Sequence, residues 1–451
     1  MPPPNDATPA EPAAIQAAEP PAAKPAADVP ATRPPAAPSA VREPLDALIE
    51  AYATLVVRVG VNVQLGQRVV IRGMVEHAPV ARAIAAAAYR VGASHVSIDY
   101  TDPVLTRAAV DYAPREQLGR VLPHQLEGVR AWREDRPALI SLTGNPHPTL
   151  MDGADPARLA DSMPLAMIKE FLPIVSSNLV AWTVVGAPNP AWAQTVFGEP
   201  DVDRLWRAVA MAMRLDQEDP VDAWRQHLAK LALRRDLLNA RGFDRIRFHG
   251  PGTDLTVGLT PSSRWMSGGM PNADGVEFVA NMPTEEVFTA PDWRRADGAL
   301  STTAPFFLMT VNTLVDGLKL EFGDGEIRAA SATRGEDAVH AQLERIPRAR
   351  HLGEVAIVDG DSAVRRTGLT YSDMLFDENI GSHVAWGNGY PTTFERGTEL
   401  SPEQRIESGL NQSNTHIDVV VGSPEVEIDG LGVDGQPVPI TRGDVFVLDT
   451  A

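Results

Sequence analysis

The sequence contains no cysteine among its 451 residues. Disulfide bonds, thiolate nucleophiles and cysteine-ligated zinc or iron–sulfur sites are therefore excluded. Positive charge is also scarce, because 59 Asp and Glu outnumber 40 Lys and Arg and give a formal net charge of −19. A polyanion would be repelled, so nucleic acid is not expected as a partner. Any metal ion must be bound by His, Asp and Glu.

Long apolar runs are missing as well. No stretch reaches about 18 uninterrupted apolar residues, so no membrane span is expected. Residues 1–43 are dominated by Pro and Ala and contain no aromatic residue, and we expect a disordered tail because such a segment cannot bury enough apolar area. The tail has neither the basic start nor the continuous apolar stretch of a secretory signal. These features predict a cytoplasmic protein.

The patterns that are present predict an α/β fold. Residues 67–73 (QRVVIRG) and 95–100 (HVSIDY) have the composition of buried strands, and the Ala-rich stretch 78–93 between them has that of a helix. This order is one βαβ unit, and the strand patterns PALISLTG and NLVAWTVVG extend it. We therefore predict a layered N-terminal α/β domain over residues 44–240.

The character of the sequence changes near residue 241. Two amphipathic helical stretches precede that point, and the second ends at a glycine suited to a helix C-cap. Strand patterns separated by Gly, Pro and Asp turns follow. We predict a second, C-terminal domain over residues 241–451 with a strand-rich, mixed α/β fold, and nearly all the plausible chemistry lies in it.

An adjacent pair of glutamates, Glu285 and Glu286, lies in the apolar segment NMPTEEVFTAP. Such a pair is most often a solvated face. Pro283 and the apolar residues that follow favour burial instead, where a charge is costly unless it is paired or metal-bound. Adjacent side chains of a strand point to opposite faces, so only one of the two glutamates can serve a given site.

His416 and Asp418 are two residues apart in the strand-like run HIDVVVG. Period-two geometry places both side chains on one face, about 6 to 7 Å apart, which suits joint metal binding or an aspartate that orients a histidine. The ordinary alternative is a surface pair beside a buried Ile417.

Glu354 precedes the apolar run VAIV and is placed at the mouth of a buried strand, where the alternative is an edge charge. Glu378 and His383 are five residues apart, which on a helix would separate them by about 140°. The glycine-containing polar stretch between them predicts a loop in which the two side chains can converge. Together these residues suit a pair of ions such as Zn²⁺, Co²⁺ or Mn²⁺ with one shared carboxylate and a water or hydroxide between them.

At this point the sequence resembles a known family. The segments NMPTEEVFTAP, LGEVAIV, FDENIGSHVAWGNGY and NxSxTHIDVVVGSPEVEIDG (residues 411–430) resemble the M29 metallo-aminopeptidases. The similarity is continuous from about residue 45 to the C-terminus. The resemblance implies an N-terminal α/β domain and a C-terminal catalytic domain, assembled as a homodimer that encloses its sites. It also implies peptide substrates and hydrolysis of the N-terminal peptide bond by a metal-activated water.

The resemblance further implies roles for individual residues. Two divalent metal ions per chain would be held by Glu286, Glu354, Glu378, His383, His416 and Asp418. Glu354 would bridge the two ions, and Tyr390 would donate a hydrogen bond to the developing oxyanion. Glu285 would hold the α-amino group of the substrate or support a ligand from behind. Trp386 departs from the smaller residue expected at its position, and we expect its indole to reshape the substrate pocket.

Two other functions are compatible with parts of this pattern. His383, His416 and Asp418 would make the 2-His-1-carboxylate triad of a mononuclear Fe(II) ring-cleaving dioxygenase. That interpretation leaves three glutamates without a role. A non-catalytic binding protein that uses the Pro-rich tail is the other alternative, and the retention of every expected ligand type argues against it.

Overall fold

The computed structural model describes residues 44–308 and 313–448. The predicted disordered tail, residues 1–43, lies outside the described residues. Within the described ranges, no helix combines the length and the apolar character needed to cross a bilayer.

The α-helices of the described residues are α1 (Leu45–Leu55), α2 (Ala78–Arg90), α3 (Pro103–Tyr112), α4 (Pro123–Asp135), α5 (Pro156–Asp161), α6 (Leu165–Ser176), α7 (Pro190–Phe197), α8 (Val202–Ala212), α9 (Pro220–Arg241), α10 (Glu336–Arg345), α11 (Ala363–Arg366), α12 (Met374–Asp377) and α13 (Pro402–Glu407).

The strands are β1 (Arg68–Met74), β2 (His95–Thr101), β3 (Ala138–Thr143), β4 (Trp182–Gly186), β5 (Arg245–Gly250), β6 (Thr253–Gly258), β7 (Met266–Ser267), β8 (Gly269–Pro271), β9 (Glu277–Val279), β10 (Asn281–Met282), β11 (Glu286–Thr289), β12 (Ala296–Ser301), β13 (Phe306–Leu308), β14 (Thr313–Val315), β15 (Lys319–Gly323), β16 (Glu326–Ser331), β17 (Leu352–Val358), β18 (His383–Gly387), β19 (His416–Val420), β20 (Glu427–Leu431), β21 (Pro437–Arg442) and β22 (Val445–Phe446).

The first sheet is parallel and has the strand order β10-β4-β3-β1-β2. Its strand β1 is buried on both faces, since the consecutive residues Val69, Val70 and Ile71 are all inaccessible, as expected when helices cover a parallel sheet. The predicted βαβ unit is confirmed, because β1 pairs with β2 in parallel and α2 connects them.

Helix α9 shows how the local sequence sets an element's ends. The side chain of Asp219 accepts hydrogen bonds from the backbone N–H groups of Val221 and Asp222, and Pro220 occupies the first turn. Gly242 ends the helix in the left-handed conformation, with φ of 56°. The predicted glycine C-cap is confirmed.

Two antiparallel sheets make up most of the rest of the chain. The five-stranded sheet has the order β19-β18-β17-β11-β7, and the eight-stranded sheet has the order β16-β15-β12-β6-β5-β20-β21-β22. One continuous apolar core contains residues of both sheets, among them Val355 and Val419 from the first and Ile246 and Ile428 from the second. The mixed α/β fold class is therefore confirmed.

The predicted boundary between residues 240 and 241 coincides with the end of α9. Beyond it, however, the chain returns to the parallel sheet: β10 pairs with β4, and Phe278 and Met282 join the core around that sheet. The division of residues 44–451 into two domains stays a prediction.

The segment around Asp373 contacts the carboxyl end of β3, beside the crevice between β1 and β3. This is the point where the strand order reverses, which in open α/β sheets is the usual place for a ligand. Here Asp373 accepts hydrogen bonds from Thr143 and Gly144, and the Nε1–H group of Trp192 donates to the carbonyl of Tyr371 at 2.6 Å. The parallel sheet thereby holds α12, which leads directly into Glu378.

Candidate metal centre

One face of the five-stranded sheet carries most of the predicted ligands. Residues that face each other in an antiparallel pair lie on the same side of a sheet. Glu354 lies opposite Ala385, and Ala385 lies opposite Asp418. His383 precedes Ala385 by two residues and His416 precedes Asp418 by two, so alternation puts them on this same face. The predicted sharing of one face by His416 and Asp418 is confirmed.

Small residues occupy the middle of that face. Ala385 stands between Glu354 and Asp418, and Ala356 lies opposite both His383 and Phe288. Because neither alanine projects beyond its Cβ, the space in front of the sheet is left to the longer side chains around it. The sheet is therefore recessed where the carboxylates and imidazoles meet.

The other face of the sheet is apolar and closes the core. Its buried residues are Val287, Val355, Ile357, Val384, Trp386, Ile417 and Val419. Burial of this face anchors the four ligand-bearing strands, since each fully buried aliphatic side chain contributes about 1.5–3 kcal/mol. Five of the six predicted ligands are thus held by strands rather than by loops, which favours a fixed geometry.

Trp386 belongs to that apolar face. It is fully buried, lies opposite Ile417, and packs edge-to-face on Phe306 with ring centroids 6.0 Å apart. Alternation from His383 turns residue 386 away from the ligands, so its indole would reshape the substrate pocket only through Phe306, which lines the cleft beside Glu378.

A β-bulge at Gly353 aims Glu354 at the site. The pairing shifts between Leu352, which lies opposite Trp386, and Glu354, which lies opposite Ala385. Without the bulge, Leu352 and Glu354 would share one face; with it, Leu352 enters the core and Glu354 faces the ligands. A Cβ at Gly353 would lie 2.3 Å from the carbonyl oxygen of Asn388, so the close approach requires glycine.

The first group of potential ligands is Glu286, Glu354 and His383, whose donor atoms all lie within 4.8 Å of one another. His383 Nε2 is 3.0 Å from Glu286 Oε2 and 3.6 Å from Glu354 Oε1. All three residues are buried. One ion could be bound by two carboxylates and one imidazole here.

The second group is Glu354, His416 and Asp418. His416 Nε2 is 3.8 Å from Glu354 Oε2 and 3.3 Å from Asp418 Oδ1. Glu354 therefore belongs to both groups and turns one oxygen toward each histidine. This arrangement is the one expected of a carboxylate shared between two ions.

The backbone orients both imidazoles. His383 Nδ1 lies 3.1 Å from the carbonyl oxygen of Gly381, and His416 Nδ1 lies 2.7 Å from that of Asn388. A carbonyl oxygen only accepts, so each ring, when neutral, carries its proton on Nδ1 and turns the lone pair of Nε2 to the site. Metal-binding histidines are typically held in this way.

Three buried atoms at the centre make no hydrogen bond of good geometry: Glu286 Oε2, His383 Nε2 and Asp418 Oδ1. Buried polar atoms are nearly always satisfied, so a cluster of unsatisfied ones calls for a further partner. All three converge, with His383 Nε2 3.0 Å from Glu286 Oε2 and 3.9 Å from Asp418 Oδ1. The residues present fit divalent ions that accept oxygen and imidazole ligands.

The cluster brings several ionisable side chains close together in a buried environment. Burial raises the pKa of the Glu354 carboxyl to about 7. Burial by itself would lower the pKa of His416, but the charges of Asp418 and Glu354 outweigh it and raise that pKa to about 10. Burial opposes the ionised form of Asp418, yet the charge of His416 lowers its pKa. The raised pKa values of Glu354 and His416 mean that the cluster stabilises added positive charge.

Glu378 lies beside both groups rather than within them. It begins a short 3-10 turn, Glu378–Ile380, directly after α12, and His383 begins β18. The predicted irregular connection is found at Gly381 and Ser382, whereas Glu378 lies in the turn and His383 lies in a strand. Burial, followed by the charges of Glu286 and Asp418, raises the pKa of Glu378 well above its ordinary value, so it is close to the cluster.

Tyr390 lies at the edge of the cluster and remains 44% exposed. Its ring is 4.9 Å from that of His416 and 6.5 Å from that of Phe288, measured between centroids. Desolvation and the nearby carboxylates, first Glu354 and then Asp418, raise its pKa well above the ordinary value. The phenol therefore stays protonated at neutral pH and can donate a hydrogen bond.

Glu285 points away from the ligand cluster. Its carboxylate is bound by both Nη atoms of Arg214, at 2.7 and 2.8 Å, and accepts a hydrogen bond from the N–H group of Ala363 at 3.2 Å. This places Glu285 behind the ligands, as opposite faces for adjacent residues require. A direct contact with the substrate amino group is not what this geometry favours.

Sequence reasoning missed two groups around the cluster. Asn379 is fully buried between Glu285 and Glu378, and its position inside the segment DENIG was the available signal. Arg214 lies 71 residues before Glu285, and no local pattern could pair the two.

Buried carboxylates and imidazoles in two adjoining groups on an α/β scaffold define a metal-dependent protein. The family model described as thermophilic metalloprotease (M29) matches residues 45–445. This chain belongs to that family. The predicted family and the predicted enzyme class, a peptide hydrolase of the aminopeptidase type, are confirmed.

Individual relatives agree with this assignment. Aminopeptidase 2 of Geobacillus stearothermophilus is 36% identical over 409 residues, which cover 89% of this chain and 98% of that protein. Aminopeptidase T of Thermus aquaticus is 37% identical over 402 residues, which cover 88% and 97%. The solved structure of wild-type AmpT from Thermus thermophilus superimposes with a TM-score of 0.82 at 34% identity, covering 90% of this chain and 100% of that one.

Proposed function

We propose that this chain is a dinuclear metal-dependent aminopeptidase that removes the N-terminal residue of peptides. The observation that carries the proposal is Glu354, which belongs to two adjoining ligand groups and directs one oxygen to His383 and the other to His416. A mononuclear site would need neither the second group nor a shared carboxylate. The mononuclear iron dioxygenase is accordingly not favoured.

The chemistry supplied by bound divalent ions is a lowered pKa of water, from about 16 toward about 7, and polarisation of the scissile carbonyl. The chain's own residues hold and neutralise the charges involved. Glu286 and His383 would hold one ion, His416 and Asp418 the other, and Glu354 both. Glu378 would complete the set from the side, and the ions would be Zn²⁺, Co²⁺ or Mn²⁺, which accept this mixture of oxygen and imidazole ligands.

Tyr390 is the residue we assign to the developing oxyanion. Its phenol stays protonated because desolvation and the surrounding carboxylates raise its pKa. It stands next to the ring of His416 at the edge of the cluster, and part of the residue is exposed to solvent. A preorganised donor of this kind stabilises the transition state more than the ground state.

A narrow cleft next to the ligands is the place we assign to the N-terminal residue of the substrate. Glu378 and Asp418 border one side of the cleft, so an α-ammonium group bound there would lie next to the proposed metal ligands. Apolar residues, including Phe307 and Met374, line the other side. The cleft has a volume of only about 10 Å³, room for about one water molecule, so an apolar first side chain would enter only if Phe307 or Met374 moved aside.

The test is an assay of metal-reconstituted protein on aminoacyl anilides and short peptides, with N-acetylated versions of the same substrates. We expect cleavage of the free-amino substrates only, with two ions bound per chain. Glu354→Gln should lose about 100-fold or more in metal affinity, since even residues behind the ligands contribute 10–100-fold. Glu425→Gln, at an exposed glutamate outside the site, is the matched control.

Three results would contradict the proposal. Absence of cleavage with every divalent metal would reject the aminopeptidase activity. Binding of one Fe²⁺ per chain with uptake of O₂ would favour the dioxygenase. Equal metal affinity in the wild type and Glu354→Gln would reject the shared carboxylate. The homodimer and the cytoplasmic location stay predictions, to be tested by sedimentation and by cell fractionation.

A further inference from the structure

We propose that Asn379, Glu285 and Arg214 form a buried positioning network that sets the separation between two metal ligands, Glu286 and Glu378. The inference rests on the proposed metal centre and adds residues that would not touch the ions. It assigns Glu285 to the support of the ligands rather than to the substrate.

Asn379 is the link between the two ligand-bearing segments. Its side chain is fully buried, and its Oδ1 accepts a hydrogen bond from the N–H group of Glu285 at 2.7 Å. Its Nδ2 group donates to the carbonyl of Leu375 at 3.0 Å and approaches Glu378 Oε1 at 3.4 Å. One amide therefore connects the main chain just before Glu286 to the side chain of Glu378.

Arg214 holds the other end of the network. Its two Nη atoms bind the carboxylate of Glu285, and the side chains of the pair are only 11% and 3% exposed. A bidentate pair of this kind fixes the plane of the carboxylate as well as its position. The Oε1 atom of Glu285 also accepts a hydrogen bond from the N–H group of Ala363, which links the ion pair to the start of α11.

His227 completes the support of the backbone before Glu286. Its Nε2–H group donates to the carbonyl of Thr284 at 2.8 Å, so Nδ1 is free to accept from Nη2 of Arg214 at 3.0 Å. Burial lowers the pKa of His227 to about 4, which keeps this neutral form at pH 7. The chain at residues 284 and 285 is thereby held from both sides.

Glu286 and Glu378 are held by different parts of the fold. Glu286 begins β11, which pairs with β17 and β7, whereas Glu378 lies in the turn after α12. Strand pairing therefore fixes Glu286 relative to Glu354 and His383 but does not reach Glu378. The side-chain contacts of Asn379 supply such a constraint, in addition to the hydrogen bond that Ser362 Oγ donates to the carbonyl of Asn379 at 2.7 Å.

A second buried ion pair provides a matched control. Arg234 of α9 is bonded to Asp359, and their side chains are 11% and 8% exposed, close to the values for Arg214 and Glu285. Asp359 also accepts a hydrogen bond from the N–H group of Asp361 in its own turn and lies 3.7 Å from Lys230 Nζ. Loss of this pair should reduce stability in a similar way without moving a ligand.

The test measures the affinity of metal-depleted full-length protein for Co²⁺ by calorimetry, together with the visible absorption spectrum of bound Co²⁺ and the melting temperature. We expect Asn379→Ala and Glu285→Gln to weaken at least one of the two binding events by about 10–100-fold and to alter the Co²⁺ spectrum. Asp359→Asn should lower the melting temperature but leave affinity and spectrum as in the wild type.

Asn379→Asp tests the acceptor and the donor of the Asn379 amide separately. It keeps the acceptor for the N–H group of Glu285 but replaces the donor near Glu378 with an oxygen, so we expect it not to rescue metal binding. If Asn379→Ala fails to fold, this near-isosteric variant takes its place.

The inference is overturned if both Asn379 variants bind two Co²⁺ ions within about twofold of the wild type with an unchanged spectrum. It is also overturned if Asp359→Asn weakens binding as much as they do, because the effect would then follow stability alone. Failure of the wild type itself to bind Co²⁺ would be a different result, since it rejects the metal centre on which the network acts.

Discussion

Gly387→Ala is the sharpest structural test of the ligand geometry. Gly387 lies in β18 with φ of 103°, and a Cβ added there would lie 2.1 Å from the carbonyl oxygen of Thr415. An ordinary carbon–oxygen contact is about 3.3 Å, so the chain at Thr415 must move by about 1 Å. His416 follows directly, and its Nδ1 depends on the carbonyl of Asn388 at 2.7 Å.

Two costs follow from this substitution. The unusual backbone conformation would cost about 1–3 kcal/mol in any residue other than glycine. The displacement of His416 by about 1 Å should reduce kcat/KM by about 100-fold, because catalysis tolerates little misplacement of this size. We expect the variant to fold, with weaker binding of the ion held by His416 and Asp418.

Gly435→Ala separates the two costs. Gly435 has φ of 77° but no heavy atom within 4 Å of the added Cβ. Gly435→Ala should therefore lower the melting temperature because of backbone strain, without any loss of metal affinity or kcat/KM. Equal metal affinity and equal activity in Gly387→Ala and Gly435→Ala would refute the reasoning.

Three further outcomes are expected. Tyr390→Phe should lower kcat by about 100- to 1,000-fold with little change in KM or metal content; an unchanged kcat would remove Tyr390 from the mechanism. Phe307→Ala should widen the cleft and raise kcat/KM for bulky over small N-terminal residues by about tenfold, whereas an unchanged ranking on an anilide panel would place the first side chain elsewhere. The pKa of His227 is about 4 in the folded protein against an ordinary 6.5. Between these two pH values the unfolded chain therefore binds more protons than the folded one. The free energy of unfolding should fall as the pH falls from 6.5 to 4, by about 3 kcal/mol in total. His227→Gln should make urea unfolding less dependent on pH in that window, and a wild-type stability that does not fall there would contradict the assignment of a neutral, buried His227.

Local periodicity accounts for what could be predicted. The strand patterns at residues 67–73 and 95–100 form a parallel pair around α2, because a buried strand and an amphipathic helix each leave a signal within a few residues. The pairing of His416 with Asp418 on one face followed from a period of two in the same way.

Long-range contacts account for what could not be predicted. The turn at Glu378 and the strand at His383 were expected to be one loop, since Gly381 and its polar neighbours resemble a loop when considered alone. In the fold, the parallel sheet holds α12 and the neighbouring strands draw His383 into the sheet. Tertiary packing overrode local propensity at both ends.

The sequence by itself determined the types of residue at the site, the absence of cysteine ligands and the strands on which most of the ligands lie. Only the tertiary structure decided which way those ligands face. The bulge at Gly353 turns Glu354 to the site and Leu352 to the core, and alternation turns Trp386 away from the substrate side. Arg214 and Asn379 reach Glu285 across 71 and 94 residues of chain. Register shifts and contacts of that length leave no periodic trace in the sequence, because they are set by the packing of whole elements.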